Sequence, residues 1–324
     1  MKRLFIAITM AAAFSACGHR ASTGATADTD SVSVDSVDSA KVEAPAEDNS
    51  YIEVETVRFE KSDSTAEVSV LVQWPTTGEK VIVDSLKKHI RDLLGDDFID
   101  SPKAIQAYGQ SLFESQQADW HSVYDEMEPD ERMGAFSKTH EITMLTQTKQ
   151  YVTYYYETYQ YGGGAHGYLT QVGFTFRKSD GRQIPLLKNT NSRKLAKLLK
   201  EGVRRHFSER PDKPLSDQEL LDFLFAEEVS ALNNLPLPGN SPYLSDTGMV
   251  FLYTQYEIAP YSSGIITFEI PFKDIEPFMT DEAKALIPAE ERITGADLMR
   301  INGSRGRFCV IPFPLEIGSS EPTP

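Results

Sequence analysis

The sequence predicts an α+β protein. Three observations carry that expectation: runs in which apolar residues alternate, stretches in which they recur every three or four residues, and a tyrosine-rich pair of runs joined by a glycine-rich bend. Ile52, Val54 and Thr56 alternate, as do Val68, Val70 and Val72, and both runs read as strands. Val83, Leu86, Ile90, Leu93 and Leu94 then repeat at helical spacing. A second helix opens with Ser101 as N-cap and Pro102 in the first turn, and its apolar face continues through Ile105, Tyr108, Leu112 and Phe113 to Trp120 and Tyr124.

From Glu141 to Arg177 the period becomes two. Tyr151 to Tyr161 is dense in tyrosine and β-branched residues. After Gly162-Gly163-Gly164-Ala165-His166-Gly167, the alternation of Val172, Phe174 and Phe176 resumes, which makes a long hairpin with a glycine-rich bend. Leu195, Leu198, Leu199, Val203 and Phe207 mark a helix with a basic outer face. Ser216-Asp217-Gln218-Glu219 is a capping box that predicts a helix through Phe225. Met249 to Tyr256 and Ile265 to Phe272 read as paired strands, followed by a short helix from Thr280 and a final strand near Phe308 to Ile311.

The 324 residues carry 32 Lys plus Arg against 48 Asp plus Glu, a formal net charge of −16, which disfavours nucleic acid as a partner. The two cysteines cannot build a disulfide framework or a four-thiolate zinc site. No apolar run reaches the roughly 20 residues of a spanning helix. Lys2-Arg3 followed by the apolar stretch Leu4 to Phe14 has the form of a signal peptide. Its end, Phe14-Ser15-Ala16-Cys17, looks like a bacterial lipobox, with Phe14 where leucine is usual. Residues 1–17 are thus expected to be a lipoprotein leader cleaved before Cys17, the lipid-attachment residue. Residues 18–50, rich in Ser, Thr, Ala and Asp and without aromatics, are expected to form a solvated acidic tether. The leader contributes +2 and the tether −5, which leaves −13 on residues 51–324.

The chemical motifs are weak. Gly162, Gly164 and Gly167 satisfy G-x-G-x-x-G, but the strand-like Tyr168 to Val172 follows where a dinucleotide-binding fingerprint needs a helix. Ser85-Leu86-Lys87-Lys88 matches S-x-x-K without the companion motifs of penicillin-interacting enzymes. His140-Glu141 begins like a zincin, but Met144 stands where the second histidine belongs. Cys309 is left without a partner once Cys17 is lipidated. The residues therefore point to no metal, no cofactor and no catalytic set.

Two segments carry a resemblance: Tyr159 to Gly167, and Tyr253-Thr254-Gln255-Tyr256-Glu257-Ile258-Ala259-Pro260-Tyr261-Ser262-Ser263-Gly264. In that order they resemble the tandem domains of unknown function in the extracytoplasmic part of RsiV-type anti-sigma factors, domains that also occur beside polysaccharide deacetylases. The resemblance covers residues 51–285. It implies two intimately packed α+β subdomains, 51–165 and 166–285, with antiparallel sheets and helices packed on them; residues 286–324 would be a C-terminal extension. It also implies a sensor-like, non-enzymatic module that binds lysozyme. The chain shows no sigma-binding segment and no deacetylase metal triad, so no sigma-factor contact is expected. The candidate binding residues are Tyr161, Gly162, Gly163, Gly164, His166 and Gly167 on the bend, and Tyr256, Glu257, Pro260 and Tyr261 on the second segment. The expected protein is a cell-envelope lipoprotein, held in the outer membrane and facing the periplasm, that binds a lysozyme-like cationic protein or a peptidoglycan-derived ligand. The alternatives are a wall hydrolase or esterase pairing His166 with a carboxylate such as Glu257, and an envelope scaffolding protein.

Overall fold

The computed structural model describes residues 51–188, 192–208 and 212–287. The leader, Cys17, the tether and the strand expected near Phe308 lie outside the described residues.

A six-stranded sheet forms the first layer, in the order β1 (Glu53–Ser62), β2 (Ala66–Thr77), β3 (Phe136–Gln147), β4 (Tyr151–Tyr161), β5 (Tyr168–Arg177) and β6 (Arg182–Gln183). Every pair is antiparallel except β2 with β3. That pair is parallel because two helices, α1 (Lys80–Leu94) and α2 (Pro102–Tyr124), carry the chain back between them. Gly95, in the left-handed region at φ 70°, closes α1, and the Ser101 hydroxyl accepts the Ala104 N–H to start α2.

The period of two gives the sheet two unlike faces. Val68, Val70, Val72, Ile142, Val152, Tyr154 and Phe176 are buried beneath the helices with Leu86, Ile90, Ile105 and Phe113. Residues of the other parity, such as Leu71, Thr139, Glu141, Glu157 and Tyr159, are half-exposed. His140 is buried under α2, with Nδ1 2.8 Å from the Tyr156 hydroxyl and Nε2 3.4 Å from that of Tyr108.

The second layer is built on a three-stranded antiparallel sheet, β7 (Tyr243–Leu244), β8 (Gly248–Tyr253) and β9 (Ile266–Pro271). Helix α3 (Arg193–Phe207) packs on β9, and Gly202 permits this, because a Cβ there would lie 2.0 Å from the Phe268 ring. Short helices α4 (Asp217–Leu221), α5 (Val229–Leu232), α6 (Phe272–Ile275) and α7 (Asp281–Leu286) complete it. The capping box at Ser216 is present, but its helix ends at Leu221 and does not reach Phe225. There the Phe225 N–H is taken by the carbonyl of Ile258, so the chain leaves the helical path. The strand from Met249 likewise stops at Tyr253, since the Glu257 carboxylate captures the Thr254 N–H and folds residues 254–257 into a turn.

The two layers belong to one compact unit. Their junction is polar and buried. Thr153 Oγ1 donates to the Leu244 carbonyl (2.8 Å), the Leu244 N–H donates to Thr175 Oγ1 (2.8 Å), and the two hydroxyls lie 2.9 Å apart. The Tyr151 hydroxyl donates to the Ser245 carbonyl. Strand β5, on the C-terminal side of residue 165, is a member of the first sheet.

Burial holds the imidazole of His140 at about 4, below the ordinary histidine value, with Lys138 adding to the effect; burial does the same to His89. The folded state resists protonation that the unfolded chain accepts below about pH 6.5, so stability present above that pH declines as pH falls toward 4. Urea midpoints should drop over this window, and His140→Phe should flatten the decline. Leu86→Ala should cost roughly 2–5 kcal/mol, and Val81→Ala, on the exposed side of the same helix, less than about 0.5.

Candidate functional site

The bend between β4 and β5 is tight because Gly163 and Gly164 both sit at φ 91°. Gly163 faces the Tyr124 hydroxyl, so a Cβ would lie 2.7 Å from it, while Gly162 has open space around it. The Tyr161 hydroxyl donates to the Gly164 carbonyl, and the Gly164 N–H reaches Met133 Sδ. Gly167 lies under the Tyr159 ring, where a Cβ would stand 2.3 Å from it.

The second segment meets this bend. Pro260 opens a single 3₁₀ turn over Tyr261–Ser263, closed by Gly264 at φ 66°, ψ −151°, a region open essentially only to glycine. That turn presents Tyr261, whose hydroxyl donates to the Gly167 carbonyl (2.8 Å) and whose ring stacks on His166 at 3.9 Å. His166 Nδ1 lies 3.1 Å from the same carbonyl, which it can approach only as an N–H donor. Gln255 Oε1 accepts the Leu169 N–H. Tyr256, with its ring 5.7 Å from that of Tyr261, is 53% exposed and is held at φ 65°, in the left-handed region that disfavours a tyrosine. Thus Tyr161, His166, Gly167, Tyr256 and Tyr261 converge on one surface, with Tyr159 and Gln255 as members that motif reading did not single out.

Glu257 has a different role. Its carboxylate accepts the N–H and hydroxyl of Thr254 and the N–H of Gly239, which ties the segment to a neighbouring loop. It shares no hydrogen bond with His166 among the described residues. The turn around it is a support for Tyr256 and Tyr261.

Beside the aromatic cluster, the half-exposed face of the sheet carries a row of directly opposed residues across five strands: Arg58, Leu71, Glu141, Glu157 and Gln171. The Gln171 side-chain N–H donates to Glu157 (2.6 Å). Burial, and after it the charge of Glu157, push the Glu141 carboxyl up from its ordinary value, with Arg58 pulling it back. Two carboxylates directly opposite each other repel, so Glu157 disfavours ionisation of Glu141. Among the described residues, no group of three or more His, Cys, Asp or Glu side chains is gathered to hold a metal ion, and no helix is long and apolar enough to cross a membrane.

Tyr261→Phe should lower stability by about 1 kcal/mol through the lost bond to Gly167. Tyr256→Gly should instead raise it by roughly 1 kcal/mol, since it removes a strained backbone conformation. Paired urea titrations check both, with Tyr256→Ala as the reference that removes the same ring contact but keeps the Cβ: Tyr256→Gly should be the more stable of the two, and the reverse order would contradict the strain.

No curated protein is significantly similar to this chain. A crystal structure of a DUF3298 family member from Bacteroides fragilis NCTC 9343 superposes with a TM-score of 0.58 at 19% identity, covering 71% of this chain and 94% of that one, a likeness of fold. A DUF3298 family protein from Pseudomonas aeruginosa PAO1 gives a TM-score of 0.45 at 13% identity, covering 74% of this chain and 98% of that one. Residues 186–273, which include the Tyr253 to Gly264 segment but not the glycine bend, match the family described as "Protein of unknown function (DUF3298)".

Proposed function

We propose that this is a lipid-anchored protein of the bacterial cell envelope that binds a cationic envelope protein of the lysozyme kind. Its anchor is Cys17 in the outer membrane, and its binding surface faces the periplasm. The observation that carries the reading is the union of the two motif segments: residues 94 positions apart are held together by the Tyr261 to Gly167 hydrogen bond, so that rings of both segments form one exposed cluster. An aromatic kept at a disfavoured backbone angle and left half in solvent is typical of a site retained for contact with something else. The adjoining Glu141–Glu157 pair and the −13 carried by residues 51–324 set the sign of the partner. Arginine and lysine side chains would meet carboxylates on the sheet and ring faces at the cluster. The RsiV-like motifs support the same class of partner. A peptidoglycan-derived ligand is the other member of this reading, since sugar rings also pack on exposed aromatics.

Pull-down against lysozyme and against purified peptidoglycan at low and high salt tests this. Capture of lysozyme that weakens with salt, and weakens further in Tyr256→Ala and Glu157→Gln, is expected. Binding to neither would sink the reading, and turnover of a wall substrate lost in His166→Ala would replace it with a hydrolase. Cys17→Ser should move the protein from the detergent phase to the aqueous phase on phase partition; unchanged partition would overturn the lipid anchor.

A further inference from the structure

The side of the large sheet that carries α1 and α2 is not apolar throughout. Helix α2 lies over β1, β2 and β3, and His89 of α1 meets the rings of Phe174 and Phe176 toward the far end of β5. Near the glycine bend the strand residues on this side are polar. The register sets them in two rows across β3, β4 and β5: Lys138, Gln160 and Tyr168 stand directly opposite one another, and so do His140, Thr158 and Thr170. His140 is buried, Thr158 and Thr170 are half-buried, and Gln160 and Tyr168 are exposed. By the alternation of a strand, this is the reverse of the face that carries Glu141, Glu157 and Tyr159.

Lys138, Thr158, Gln160, Tyr168 and Thr170 line a pocket of about 200 Å³. Lys138 Nζ donates to Gln160 Oε1 at 2.8 Å. Although the chain carries −16, none of the ion pairs among the described residues includes Lys138. The groups behind it are uncharged at neutral pH, since burial holds His140 at about 4, pushes Tyr108 up to about 12 and raises Tyr156. Burial also pulls the Lys138 ammonium below its ordinary value. Its charge is therefore partly desolvated and has no counter-charge. The Thr158 hydroxyl is taken by the Thr139 carbonyl, whereas the Tyr168 and Thr170 side chains make no hydrogen bond among the described residues.

A half-buried cation beside hydroxyl donors is complementary to a small oxyanion. One ammonium balances one negative charge, and a phosphate dianion would leave a surplus in a protein that is already acidic. We infer that this pocket binds a carboxylate group, which pairs with the Lys138 ammonium and accepts hydrogen bonds from the Thr170 and Tyr168 hydroxyls. The volume admits the carboxylate with a few carbons, as at the end of a peptide or in a small acid. The site stands apart from the surface proposed for a cationic protein, because it lies on the other side of the sheet and is opposite in sign.

Titration of the isotopically labelled full chain with N-acetyl-alanine, acetate, inorganic phosphate and the neutral N-acetyl-alaninamide tests this. Both acids should give saturable amide shifts at residues 138, 158–160 and 168–170, and the neutral amide none. Lys138→Met should weaken the binding of N-acetyl-alanine at least about tenfold, and Thr170→Val about threefold. Tighter binding of N-acetyl-alanine than of acetate would assign the pocket to peptide ends, and equal binding to small acids; both uphold it. The absence of saturable shifts, the same shifts with the neutral amide, tighter binding of phosphate than of acetate, or undiminished binding by Lys138→Met would each overturn it. The comparison of acid with amide needs no substitution, so the test holds even where Lys138→Met fails to fold.

Discussion

Two buried threonines hold the molecule together. Thr153 and Thr175 face each other across β4 and β5, and between them they satisfy both the N–H and the carbonyl of Leu244. Burying a backbone amide without partners costs on the order of 1–3 kcal/mol per group, so this pair favours docking of the second sheet where both Leu244 groups are satisfied. The register of the small sheet follows, because Leu244 and Tyr243 pair directly with Met249 and Val250. From that junction β8 leads to the turn that delivers Tyr261 to Gly167. The candidate surface is thus a consequence of docking: the second segment brings Tyr261 against Gly167 and His166 of the glycine bend.

Strain and charge are concentrated away from this junction. Tyr256 occupies a left-handed conformation, and Glu141 faces Glu157 with Arg58 as a partial counter-charge. Both lie on the half-exposed side of the molecule, while the opposite face of the large sheet is filled by α1 and α2 and carries the ordinary apolar core. The small sheet covers one end of that half-exposed face, over Thr153 and Thr175, and leaves the end with Glu141 and Glu157 open to a partner.

Much of the fold could be read from the residues. The period-two runs, the stripe from Val83 to Leu94, the Ser101–Pro102 start and the Ser216 capping box all state local preferences that the tertiary structure honours. Where local signals failed, a long-range contact had intervened: Ile258 took the Phe225 N–H and ended α4 early, and Glu257 took the Thr254 N–H and cut β8 short. The parallel pairing of β2 and β3 has no local signature. Thr153 and Thr175 look like any β-branched strand residues, and the opposition of Glu141 to Glu157 exists only once β3 and β4 are in register. The bend and the Tyr256 to Gly264 turn were visible as motifs; that they touch was not, because the contact joins positions 94 apart.

The claim that these two segments act as one surface is tested most directly by amide chemical-shift mapping of the isotopically labelled protein titrated with lysozyme. Shifts that move together on residues 161–169, on residues 254–264 and around Glu141 and Glu157 are predicted. Shifts confined to one segment, or clustered elsewhere on the molecule, would contradict it.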